Sequence, residues 1–177
     1  MKYEEIISKI KEEFPDFELC ANEDSKFISL LSFLFKIITL GKINNFASQY
    51  TLTLRDKIYT PKRWSTLPDK HKASILRHEL IHMKQQKKYT LPVFLFCYFL
   101  LPFPFFFSWF RARIEWEAYE ESMRFEYEIN GTKSLLNKEY RNNLVDLFVG
   151  PYYGWMWPYR KQVEKWYDDA LKKIISH

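Results

Sequence analysis

Glycine is scarce, with 4 in 177 residues. A turn-rich β fold depends on glycine at its tight corners, so this chain favours helix. Cysteine is scarcer still. Cys20 and Cys97 form no C-x-x-C pair, so neither suggests a zinc–thiolate site or a disulfide framework. Both read as buried free thiols in a reducing compartment. The net charge of +5 contains no dense Lys/Arg block, so nothing marks a nucleic-acid stripe. Anionic lipid headgroups remain a partner for such a surface. The start, Met1-Lys2-Tyr3-Glu4-Glu5, lacks the basic-then-apolar order of a secretory signal, and a cytoplasmic location is expected.

Aromatic residues, by contrast, are abundant: 16 Phe, 12 Tyr and 6 Trp. The length suits one domain with a substantial core, and we expect a single domain over residues 1–177. Ile6, Ile7 and Ile10 lie among charges, which predicts an amphipathic helix ended by Pro15. Residues 17–20 read as a short extended piece. Residues 25–40 carry only Lys26 and Lys36 as charges and predict a second, apolar helix stopped by Gly41. Tyr50-Thr51-Leu52-Thr53-Leu54 alternates, and Lys57-Ile58-Tyr59-Thr60 follows a turn at Arg55-Asp56. Together they predict a small antiparallel sheet.

The pattern richest in chemistry is His78-Glu79-Leu80-Ile81-His82, an H-E-x-x-H sequence. Residues i and i+4 of a helix share a face, so the two imidazoles can bind one metal ion from a single turn. Glu79 adjoins the first histidine and can act as general base on a metal-activated water. The carrying helix is expected over residues 69–88. Thr66 with Asp69 fits a capping box, and Pro68 fits a first turn. His71 reads as a hydrated residue near the helix start.

Residues 91–110 then run for twenty positions without a charge. That length matches a membrane span, but Pro92, Pro102 and Pro104 argue against one straight helix. The segment reads as an apolar helical hairpin bent at Pro102-Phe103-Pro104. Flanking lysines and arginines suit a shallow insertion into, or contact with, the inner face of a membrane. The alternative is a buried hairpin.

A third metal ligand is expected on the next helix, residues 109–129. Glu115 shares its face with Ala112, Ala118, Tyr119 and Ser122, and small residues permit the close approach a ligand needs. Glu117 faces Arg113, Glu120 and Glu121 and is held in reserve. A group must also stabilise the developing oxyanion. The candidates are Tyr152, Tyr153 and Arg124, of which Tyr153 is carried forward. Further helices are expected after Gly131 and over residues 159–175. The last should present Val163, Trp166, Ala170, Leu171 and Ile174 on one face.

HELIH followed by Glu115-Trp116-Glu117-Ala118 resembles the gluzincin peptidases, in which HExxH is followed by E-x-x-A on a later helix. The specific motifs cover residues 77–86 and 111–122. Membrane-linked gluzincins often complete the second motif with Asp, where this chain has Tyr119. A broader likeness, from residue 43 onward, is to bacterial and phage-type proteins with a zincin-like domain. It rests on the R-A-R…E-x-E-A-Y-E stretch and the Y-G-W-M-W-P tail. The resemblance implies a mainly α, zincin-like fold. It also implies a Zn²⁺ ion on His78, His82 and Glu115, with Glu79 as base in hydrolysis of a peptide or protein substrate. Two alternatives stand beside it: a zincin-like metal-binding or membrane-associated interaction protein without catalysis, and a helical protein in which the motif is accidental.

Overall fold

The computed structural model describes residues 3–22, 50–100, 108–153 and 155–176, with the side chains of residues 99, 100 and 153 outside that description. The expected apolar helix at 25–40 and the bend at 102–104 also lie outside the described residues. The protein is mainly α with one small sheet. It divides into two compact units, Met1–Met83 and Lys84–His177, and the boundary falls inside the motif helix.

In the first unit, helix α1 (Tyr3–Glu13) buries Ile6 and Ile10. The predicted stop holds: the helix ends before Pro15, and Phe14 and Phe17 are buried at its exit. Three strands follow, β1 (Glu18–Ala21), β2 (Leu52–Leu54) and β3 (Lys57–Thr60). The expected hairpin forms, with Thr53 opposite Ile58. The sheet is mixed, however, and not purely antiparallel. Its order is β1-β3-β2, with β1 parallel to the central strand. Four residues of β1 give too little alternation to announce a pairing partner. Contacts after folding hold it: Glu18 N–H donates to the Asp56 carbonyl, and the Thr60 hydroxyl donates to the Cys20 carbonyl.

A short 3₁₀ helix (Lys62–Thr66) leads into helix α2 (Asp69–Tyr89), which carries the HELIH motif. The capping box does not form. Thr66 lies in the 3₁₀ turn and its hydroxyl donates to the Arg63 carbonyl at 2.8 Å. The α2 entry is made instead by His71 and Lys72 N–H donating to the Pro68 carbonyl.

In the second unit, Thr90 alone separates α2 from the apolar helix α3 (Leu91–Leu100). Its φ of 61° is unusual for a β-branched residue. Helix α4 (Trp109–Asn130) follows, then α5 (Thr132–Leu135), α6 (Lys138–Val149), a 3₁₀ turn (Pro151–Tyr153) and α7 (Arg160–Ile175). Asn137 caps α6 by accepting from the N–H groups of Glu139 and Tyr140. The core of this unit is aromatic. Trp116 meets Phe148 edge-on at 5.5 Å, and Trp166 packs on both. On α7 the fully buried aromatic is Tyr167, with Trp166 only partly buried. The reason is polar: the Tyr167 hydroxyl donates to the Leu135 carbonyl at 2.6 Å, satisfying both groups inside the core. Cys20 and Cys97 are in no disulfide among the described residues, and both are half-buried where full burial was expected.

Among the described residues no helix is long and apolar enough to cross a membrane. Helix α3 has ten residues, about 15 Å, against about 30 Å of bilayer hydrocarbon.

Gly131 ends α4 with φ 70° and ψ −173°, a region open essentially to glycine alone. A Cβ there would meet nothing within 4 Å, so a side chain would cost backbone strain and no clash. Gly131→Ala should lower unfolding stability by about 1–3 kcal/mol, read as a shifted urea midpoint at unchanged slope.

Candidate metal centre

The chemistry begins on one turn of α2. A helix places His78 and His82 on the same face, and their Nε2 atoms stand 3.2 Å apart. Two nitrogens that each ligate a tetrahedral zinc at about 2.0–2.1 Å are separated by about 3.3–3.4 Å. The pair is thus spaced close to what one ion requires. His82 is buried and His78 half-buried. His71 is exposed, as its position near the helix start suggested.

Glu79 is also buried, and a buried carboxyl needs hydrogen-bond partners. Thr53 supplies one. Its hydroxyl donates to Glu79 Oε2 at 2.7 Å. Thr53 is the inward-facing residue of β2, so the strand before the motif helix orients the carboxylate beside His78.

On α4, Glu115 is 3% exposed and flanked along its face by fully buried Ala112 and Ala118. The Tyr98 hydroxyl, from α3, donates to Glu115 Oε1. Burial of that hydroxyl, and then the Glu115 carboxylate beside it, push the Tyr98 pKa well above its ordinary value. Tyr98 therefore remains a donor across the ordinary pH range. Glu117, the reserve ligand, is exposed. It accepts from the Gln85 side-chain amide at 2.9 Å and lies 3.7 Å from Arg113. The same Gln85 amide donates to the Ile114 carbonyl at 3.0 Å. Gln85 follows His82 by three positions, so the end of the motif helix is fastened to Ile114 and Glu117, on either side of Glu115 in the chain. One ligand atom from each of His78, His82 and Glu115 lies within 4.8 Å of the others.

The other expected residues fare differently. Arg124 is paired with Glu120 at 2.7 Å and stands 3.9 Å from Glu121. Tyr152 is exposed, and the Tyr153 side chain lies outside the described residues. Tyr119 packs edge-on against Phe148 at 5.5 Å in the aromatic core. The residues that sequence reasoning missed are Thr53, Gln85 and Tyr98. Each acts across 17 to 32 positions of chain, beyond any local pattern. Tyr98 did leave one signal. A phenol in an otherwise apolar run needs a hydrogen-bond partner.

No protein-family model, no curated protein and no solved structure matches this chain.

Thr53→Val keeps the shape of the side chain and removes the donor to a buried carboxyl. It should cost about 1–3 kcal/mol of stability, measured by urea unfolding. Thr53→Ser, which keeps the hydroxyl, should recover most of that loss.

Proposed function

We propose that this protein is a zinc-dependent metallopeptidase whose ion is held by His78, His82 and Glu115. The observation that carries this reading is the convergence of two imidazole nitrogens and one buried carboxylate within 4.8 Å. The donor set fits the ion. Two nitrogens and one oxygen match the His₂Glu set of catalytic zinc sites, and three protein ligands leave a fourth position for water. When bound, zinc lowers the pKa of a water to about 7 and polarises the substrate carbonyl.

The remaining steps belong to side chains. Glu79 accepts the proton of the attacking water and returns it to the leaving amine, forming the new amine as the peptide C–N bond breaks. Thr53 keeps the Glu79 carboxylate from rotating away. Among the described strands, β2 lies at one edge of the sheet. Its outer side suits pairing with an extended peptide backbone, which makes a peptide or unfolded protein segment the natural substrate.

A membrane-apposed location belongs to the same reading. Helix α3 exposes Val93 and Phe96, each about half accessible, and Trp109 at the start of α4 is exposed too. Lys84, Lys87 and Lys88, on the last turns of α2, are exposed as well. An apolar face preceded in sequence by cationic residues suits shallow contact with an anionic leaflet at the cytoplasmic side. Binding of the purified protein to vesicles containing phosphatidylserine should fall by at least about tenfold in Val93→Glu/Phe96→Glu, since burial of each large apolar side chain contributes about 1.5–3 kcal/mol. Equal flotation of variant and wild type would contradict the membrane reading.

Protein purified without chelator should carry about one equivalent of zinc by elemental analysis. His82→Ala and Glu115→Ala should lose it, while Glu117→Ala should keep it. Glu79→Gln should retain zinc and lose peptide-library hydrolysis by about 100-fold or more. A wild type that binds zinc and cleaves nothing in that library would leave the non-catalytic metal-binding reading in its place. Absence of zinc binding would remove both.

A further inference from the structure

We infer that Tyr98 is the positioning residue of the Glu115 ligand, making the apolar helix α3 part of the metal centre's own support. This inference rests on the metal reading above and concerns a residue that the motif pattern does not mark.

The Tyr98 hydroxyl donates to Glu115 Oε1 across 17 residues of chain, linking α3 to α4. A carboxylate that accepts such a bond is fixed in rotation, so its oxygens point in set directions. The phenol is itself held. Its ring stacks on Phe94 at 5.6 Å with an interplanar angle of 18°, and the Arg111 guanidinium stands 5.2 Å from the ring centre. Phe94 and Tyr98 are four positions apart and face the protein, while Val93 and Phe96 face outward. The uncharged segment thus has two sides with separate tasks. One is apolar and accessible; the other delivers a hydroxyl to a buried carboxylate.

The resemblance leads one to expect an Asp at position 119. Tyr119 replaces the Asp that would orient a histidine ligand, and it packs in the aromatic core. Tyr98 does not substitute for that Asp, because it addresses a different ligand. It does place a hydrogen-bond donor behind the one ligand that sits on a separate helix, where positional freedom is greatest.

The test compares zinc dissociation constants, obtained by chelator competition, with the unfolding midpoint of the zinc-free protein. Loss of a partner behind a ligand typically weakens metal binding by about 10- to 100-fold. Tyr98→Phe keeps the ring and removes the hydroxyl, so zinc binding should weaken by that factor, and the zinc-free midpoint should fall because a buried carboxyl loses a donor. Ile174→Ala opens a gap in the core at the end of α7 and leaves Tyr98, its ring partners and Glu115 unchanged. It should lower the midpoint and leave zinc affinity close to wild type. An unchanged zinc constant in Tyr98→Phe, with one zinc still bound by wild type, overturns the positioning role and leaves the metal centre standing. Equal weakening in both variants, in step with their stability, also overturns it. A wild type that binds no zinc overturns it together with the metal reading. Should Tyr98→Phe fail to fold, a fluorinated tyrosine incorporated at position 98 keeps the side chain in place and strengthens the donor. A shift in zinc affinity then supports the role, and no shift overturns it.

Discussion

Two buried carboxyl groups set the terms for this structure. Glu79 and Glu115 are 6% and 3% exposed, and removing such groups from water is costly unless hydrogen bonds replace hydration. Each is met by a hydroxyl from a different element, Thr53 on β2 and Tyr98 on α3. The small sheet and the apolar helix are therefore more than covering layers. Each brings a donor to a group that would otherwise destabilise the fold. The two hydroxyls also leave the carboxylates with defined orientations, which both a general base and a metal ligand require.

The motif helix shows how a secondary-structure period brings two imidazoles together. Four residues of spacing bring two Nε2 atoms to 3.2 Å, and no long-range contact is needed to explain that approach. Gln85 extends the same helix face by one more step and fastens it to the Ile114 carbonyl and the Glu117 carboxylate. Glu117 thus does a surface task that explains why it and Glu115, two positions apart, lead different lives. One turns toward an amide and Arg113, the other toward a phenol and the buried alanines.

What could be read from the sequence follows the range of the interaction involved. Helix α2, its paired histidines and helix α4 are products of local periodicity, and the expected bounds differ from the observed ones by a residue or so. The burial of Glu115 and the exposure of Glu117 were legible because Ala112 and Ala118 share the face of Glu115. The hairpin was legible from alternation at Thr53 and Ile58. The parallel pairing of β1 was not, because it joins residues 39 apart through only four positions. The capping box failed for a local reason: the Thr66 hydroxyl found a carbonyl within its own turn. Arg124 offered the right charge for an oxyanion, but Glu120 lies one helical turn away and pairs with it. Thr53 and Tyr98 carry no mark of their roles in any window of neighbours, since their partners arrive only when the chain has folded.

Thr90 gives the apolar segment a fixed phase. It is the single residue between α2 and α3, held at φ 61°. A helix turns by about 100° per residue. One residue inserted at or deleted from α3 before Phe94, with the helix start held in place, would swing Tyr98 away from Glu115 and rotate the exposed Val93 and Phe96 around the axis with it. The number of residues in that first turn is thus as much a part of the design as their identity. Drift in sequence can be absorbed there more readily than drift in length, because a single step would turn the side that faces the carboxylate by about 100° away from it.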